Sequence, residues 1–199
     1  LKKNKYFYLR SNKKEIKSNL DYICNKVIIE NLKQTNFPII SEEKKNHDFE
    51  EYEDYQWIID PIDGTYNYLN NLGPSSSCIA LFRGSEPIFG ITATFPNNDI
   101  YFGGPKFGAY KNRNKIKISI KKNIIKSTLM TGFPSNYLFE NRDKSKLFNI
   151  YKKVQKTRMI GAASISILKL AEAHADIYYE KNIMIWDIAS SLAILNGAK

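Results

Sequence analysis

Trp57-Ile58-Ile59-Asp60-Pro61-Ile62-Asp63-Gly64-Thr65 is an apolar run that breaks into two carboxylates, a proline and a glycine. Gln56 to Ile59 reads as a buried strand, and Pro61 and Gly64 punctuate the turn that follows it. Asp60 and Asp63 flank Pro61-Ile62, so a turn lets both carboxylates converge on one point while the Ile62 carbonyl faces the same space. Three hard oxygens so placed suit magnesium, which prefers oxygen donors and completes its shell with waters and phosphate oxygens. Gly64 permits a close backbone approach, its N–H and that of Thr65 can face a phosphate oxygen, and the Thr65 hydroxyl can orient a water. A tight loop capped by its own Asp side chains is the competing reading of the same residues.

Upstream, Leu20, Ile23, Val27, Ile28 and Leu32 recur at helical spacing between about Ser18 and Lys33. A short strand Pro38 to Ser41 then leads into an acidic segment, 42–54, that reads as a loop carrying Glu42 and Glu43 at the strand's end. Downstream, Ser76 to Phe82, Pro87 to Phe95, Asp99 to Phe102 and Phe107 to Tyr110 alternate with turn signals, which predicts an antiparallel meander and hence a mixed sheet. After Ile116 to Ser119 a second unit begins, with strands at 128–131, 157–160 and 177–179 and helices at 144–155, 163–173 and 186–195. The division expected is an N-terminal metal-binding α+β half, 1–119, and a smaller C-terminal α/β half, 120–199.

The 199 residues, 43% hydrophobic, suffice for one large domain or two small ones sharing an interface. A net charge of +10, from 30 Lys and Arg against 20 Asp and Glu, favours encounter with anions such as phosphate esters. The lysines lie at the start and around 111–126 in company with Asn and Ile, without the interleaved aromatics of a nucleic-acid surface, so no nucleic-acid partner is expected. Cys24 and Cys78 form no metal-binding or disulfide pattern, and no apolar run reaches the length of a membrane span. A cytoplasmic protein with no membrane partner follows as the expectation. The chain opens on Leu1 and closes on Gly197-Ala198-Lys199 just after a helical pattern, so the second half is expected to be truncated at its end.

The nine residues from Trp57 resemble the signature of the inositol monophosphatase family, an apolar strand followed by Asp-Pro-hydrophobic-Asp-Gly-Thr. Two more family signatures stand in order around it: the Glu pair after a strand at Ile40-Ser41-Glu42-Glu43, and Trp186-Asp187-Ile188-Ala189-Ser190. Thr131-Gly132-Phe133-Pro134, Gly161-Ala162-Ala163-Ser164 and Ala175-Asp176-Ile177-Tyr178-Tyr179-Glu180 are similar to further family segments, so the likeness covers nearly the whole chain. The family is a magnesium-dependent, lithium-sensitive phosphatase group that includes bisphosphate nucleotidases and fructose bisphosphatases. What the resemblance implies for the fold is the layered α-β-α-β-α sandwich of sugar phosphatases, of α/β (α+β) class, with a smaller sheet in the C-terminal half.

By the same resemblance Glu43, Asp60 and the Ile62 carbonyl would hold one magnesium ion. Asp60, Asp63 and Asp187 would hold a second, and a third, weaker site would depend on Asp21. Glu43 and Thr65 would position the attacking water, with Asp60 bridging the ions. Gly64, Thr65, Gly161, Ala162, Ala163, Glu180 and Asp187 would line the substrate, Glu180 meeting a sugar hydroxyl. The implied activity is hydrolysis of a small phosphomonoester by two-metal-activated water, inositol monophosphate first. Ile39-Ile40-Ser41-Glu42-Glu43 also looks like the nucleotidase branch, so a 3′(2′),5′-bisphosphate nucleotidase is a rival, as is a histidinol phosphatase of the same family, and the shortened chain raises a catalytically silent phosphate-binding protein on the same fold. The family implies a homodimer. His47 and His174 are not needed by this chemistry, Trp186 is expected to be a core residue fixing Asp187, Asp176 either hydrogen-bonds its own turn or touches substrate, and Arg158 precedes the pocket turn.

Overall fold

The computed structural model describes residues 8–11, 15–44, 54–120, 123–133 and 140–199. His47 and Pro134 lie outside them, as does most of the acidic loop between residues 45 and 53. The N-terminal segment opens with an antiparallel hairpin, β1 (Tyr8–Ser11) and β2 (Glu15–Ser18), which the Lys- and Asn-rich sequence did not predict. Ser18 then caps α1 (Asn19–Leu32): its hydroxyl accepts from Leu20 N, and Asp21 answers by accepting from Ser18 N.

One seven-stranded sheet follows, in the order β3 (Ile39–Ser41), β4 (Tyr55–Asp63), β5 (Ser75–Arg83), β6 (Glu86–Phe95), β7 (Ile100–Gly104), β8 (Gly108–Lys111), β9 (Asn114–Lys115). From β4 onward every pair is antiparallel, the meander read from the sequence, while β3 joins β4 in parallel with Ser41 opposite Ile59. That one parallel pair makes the sheet mixed and brings the ends of β3 and β4 side by side. The turn after β4 passes into the short helix α2 (Thr65–Asn70).

A second sheet is parallel and three-stranded, in the order β11 (Lys156–Met159), β10 (Thr128–Thr131), β12 (Ile177–Tyr179). Its connections carry α3 (Asn141–Tyr151) and α4 (Ala163–Ala171). Since β10 to β11 and β11 to β12 step in opposite directions across the sheet, right-handed crossovers put α3 and α4 on opposite faces. Helix α4 packs beside α5 (Ile185–Gly197), and α5 crosses the large sheet. Its first turn joins Ile58, Ala80 and Phe82 through Trp186 and Ala189, and its last joins Tyr101 and Ala109 through Ile194.

Ile58 faces α5, so its neighbour Trp57 must face the opposite side of the sheet. There the Trp57 indole donates to Thr35, just beyond α1, at 2.9 Å. Layers therefore run α1, large sheet, α4 with α5, small sheet, α3, the layered α/β sandwich the sequence led us to expect. The apolar stripe assigned to α1 needs correction: Ile23 and Val27 are each 53% exposed. The helix turns Asp21, Cys24, Asn25, Ile28 and Leu32 inward instead, because Asn25 meets Ser41 and Asp21 meets the turn after β4. Among the described residues no helix is long and apolar enough to cross a membrane.

Helix α5 lies so close to β6 that a Cβ on Gly90 would overlap the Ser190 carbonyl oxygen. Gly90→Ala should therefore destabilise the fold by about 1–3 kcal/mol, the usual range for overpacking. Urea unfolding with an unchanged m-value would measure this, and equal midpoints for both proteins would refute the close packing.

Candidate active site

Parallel register decides which acidic group meets Asp60. With Ser41 opposite Ile59, the next residues, Glu42 and Asp60, fall opposite one another, and Glu42 N donates to the Ile59 carbonyl. Helix α5, crossing the same face as Ile58 and Asp60, brings Asp187 from its first turn. One carboxylate oxygen from each of Glu42, Asp60 and Asp187 lies within 4.8 Å of the others. Glu43, expected to be the ligand, is not in this group: the chain turns there, and Glu43 N is held by the Ser41 hydroxyl at 3.3 Å.

Asp60 is wholly buried, and its two oxygens differ. Oδ1 accepts from Ile62 N at 2.9 Å, the self-capped turn of the competing reading. Oδ2 is buried with no hydrogen-bond partner among the described residues. A buried carboxylate oxygen without a donor, flanked by two other carboxylates, has the chemistry of a cation site built only from hard oxygens. Magnesium fits that donor set better than a metal preferring nitrogen or sulfur.

Asp63 lies close by but faces the start of α4. Its Oδ1 accepts from Ala163 N at 3.2 Å, and its Oδ2 accepts from Ser164 N at 2.8 Å and the Ser164 hydroxyl at 2.5 Å. Asp63 is thus the anion at the N-terminus of α4, where the helix leaves its first N–H groups unpaired. Ser164 in turn touches Ser76 Oγ at 2.6 Å. The Thr65 hydroxyl sits 2.9 Å from the Ile62 carbonyl and 3.0 Å from Asp21 Oδ1. Asp21, expected in an outer metal shell, reaches the site through Thr65, and Ser18 fixes its other oxygen.

Gly64 and Gly161 both adopt left-handed backbone, at φ +80° and +79°. Their turns stack: a Cβ on Gly64 would press on Ala162 Cβ and the Gly161 carbonyl at 3.1 and 3.3 Å. Asn67 clamps them, its side-chain amide donating to the carbonyls of Ile160 at 2.7 Å and Pro74 at 3.1 Å. The sequence reading missed Asn67; an Asn directly after the Gly-Thr turn, where a helix is too short to bury apolar residues, was its signal. Glu180, at the end of β12, is half-buried and accepts from the Tyr178 hydroxyl at 2.8 Å. Trp186 is buried beside Ile58 and Ala189, the core role expected of it. Asp176 accepts from Thr128 N, Arg158 is exposed and donates to its neighbour's carbonyl, and His174 stands near Glu172 instead of the acidic cluster.

Burial is the main force on these acids. It pushes Asp60 well above the usual carboxylate range, with Glu42, Asp63 and Asp187 adding repulsion. It lifts Asp187 to about 8, helped by Asp63 and Glu42 and opposed by the Met184 N–H. Asp63 rises only to about 6, because the Ser164 and Ala163 donors oppose its burial. Without metal, the folded protein therefore holds more protons than the unfolded chain between about pH 4 and pH 8, so stability falls as pH rises through that window. We expect the thermal midpoint of metal-free protein to drop from pH 5 to pH 8, and magnesium to raise it more at pH 8 than at pH 5. Scanning calorimetry with and without the ion checks this; a magnesium effect equal at both pH values would contradict it.

A model of the inositol monophosphatase family matches residues 2–198. Similar to the chain is a fructose-1,6-bisphosphatase/inositol-1-monophosphatase of Aquifex aeolicus, 34% identical over 73% of the chain and 55% of that protein. An inositol-1-monophosphatase of Bacillus subtilis is 29% identical over 94% of the chain and 71% of that protein. The chain thus spans between about half and three quarters of these relatives' lengths. Among solved structures, the extragenic suppressor protein suhB of Bartonella henselae superposes with a TM-score of 0.84 at 22% identity, over 98% of the chain and 75% of that protein.

Proposed function

We propose that this chain, which belongs to the inositol monophosphatase family, hydrolyses a small polyol phosphomonoester, inositol monophosphate foremost, with magnesium held at the ends of β3, β4 and α5. The carrying observation is the convergence of Glu42, Asp60 and Asp187 around a buried, unpartnered Asp60 oxygen. Both sequence relatives reported above bear inositol-1-monophosphatase names, which favours that substrate over a bisphosphate nucleotide.

Glu42, Asp60 and Asp187 would be the carboxylate ligands, with the Ile62 carbonyl and Asp63 beside them as further oxygen donors. Magnesium supplies Lewis acidity toward water and phosphate when bound. The rest falls to the chain's own groups. The Thr65 hydroxyl proton is directed to Asp21 or to the Ile62 carbonyl, which leaves the Thr65 oxygen as an acceptor. A water donating to that oxygen would present its lone pair outward, toward a phosphorus in line with the leaving oxygen. The first-turn N–H groups after Gly64 lack helical partners by geometry and suit phosphate oxygens. Gly161 and Ala162 would line the pocket through the turn stacked on Gly64, while the Ala163 N–H is committed to Asp63. Glu180 would accept a substrate hydroxyl. Homodimerisation and a cytoplasmic location complete the proposal, on the family's precedent.

The two neighbouring glutamates supply a direct test. Glu42→Gln and Asp60→Asn should each lower magnesium-dependent phosphate release from inositol 1-phosphate at least about a hundredfold, roughly 2.7 kcal/mol of transition-state stabilisation. Glu43→Gln should keep activity within about threefold, since Glu43 is not one of the converging acids. A collapse with Glu43→Gln but not Glu42→Gln would overturn the assignment, as would magnesium-independent turnover.

A further inference from the structure

Two features fix the Glu180 carboxylate. The Tyr178 hydroxyl donates to Oε2 at 2.8 Å. The carboxylate also lies against the bare Cα of Gly132: a Cβ built there would meet both Glu180 oxygens at 2.5 Å and Cδ at 2.7 Å. Gly132 needs no left-handed backbone, so the absent side chain, not the chain's conformation, is what the site uses. Tyr178 and Glu180 are two residues apart across β12, and Gly132 directly follows β10, the strand paired with β12. The seat is therefore formed by the register of two adjacent strands.

Glu180 is not one of the three acids that converge for a cation, yet it lies near enough to Asp63 and Asp187 to feel their charge. Its Oε2 accepts from the Tyr178 hydroxyl. A carboxylate has about four lone-pair sites, and Tyr178 occupies one of them, so acceptor capacity remains for a substrate hydroxyl. Beside a phosphate site, a fixed carboxylate with such capacity selects an ester that carries a hydroxyl donor near the phosphate.

We infer that Tyr178 and Gly132 are specificity-determining positioning residues, which together seat Glu180 so that its carboxylate is offered in a fixed orientation to a hydroxyl of a polyol phosphate. The inference rests on the proposed phosphatase reading and extends it to substrate choice. Neither residue touches the reacting atoms. Tyr178 acts by fixing the carboxylate's rotation, and Gly132 acts by leaving room for it. A side chain at position 132 would displace Glu180, because the atoms it would meet are the far end of that side chain.

The test compares inositol 1-phosphate, which carries the hydroxyls, with p-nitrophenyl phosphate, which has none. Tyr178→Phe and Gly132→Ala should each lower the ratio of kcat/KM between the two esters about tenfold, as expected when a hydrogen bond to a charged group loses its geometry. The loss should sit in KM for the inositol ester, and Glu180→Gln should reproduce it. An equal fall on both esters would mean a structural role and overturn the inference, as would an unchanged ratio in either variant. Should wild-type protein hydrolyse neither ester, the phosphatase reading fails separately. Calorimetric titration with inositol 1-phosphate, then unconsumed, decides the positioning role: tenfold weaker binding in both variants supports it, and equal binding, or none by the wild type, refutes it.

Discussion

Packing carboxylates together out of water opposes folding, and the architecture around this site is explained by what is needed to hold them there. Asp60 has no exposed surface and sits within reach of Glu42 and Asp187. The donors that face the buried aspartates are few: a backbone N–H for Asp60, another for Asp187, and three α4 donors for Asp63. Protons or a cation would compensate further, so the same geometry that penalises the metal-free state favours a magnesium-bound one.

Three distant parts of the chain are needed for that arrangement. The parallel pairing of β3 with β4 aligns Glu42 with Asp60, and the α5 helix, pressed onto Gly90, delivers Asp187. Asp21, capped to Ser18 at the head of α1, steadies Thr65 across 44 residues of sequence. None of these supports is local, and their loss would leave the acids present in the chain but not convergent.

That distribution explains what could be read in advance. The Asp60 to Thr65 turn and the Trp186-Asp187 pair were legible because strand, turn and helix start are encoded by neighbouring residues. Glu42 and Glu43 could not be told apart locally; only the register of β3 on β4, a pairing between strands, distinguishes them. Ile23 and Val27 were misplaced for a related reason. Helical spacing shows that apolar residues recur, whereas the inward face of α1 is chosen by polar contacts of Asp21 and Asn25. The β1–β2 hairpin had no apolar alternation to announce it, and Asn67 works through carbonyls of residues 7 and 93 positions away.

Asp63 and Asn67 also account for the site's place between the two sheets. Asp63 belongs to β4, yet all three of its recorded donors come from the start of α4, about a hundred residues on. Asn67 likewise ties α2 to the turn before that helix. Because a helix N-terminus attracts an anion and a bare turn accepts an amide clamp, α4 and the turn before it dock on the same few residues that end β4. Docking and site formation are then a single event: a change that loosens α4 from Asp63 frees a buried charge next to Asp60. Such a change would spare the cluster of Ile58, Ala80 and Trp186, which holds no α4 residue, and would loosen the one in which Leu168 and Ala171 of α4 join Tyr101 and Ile194.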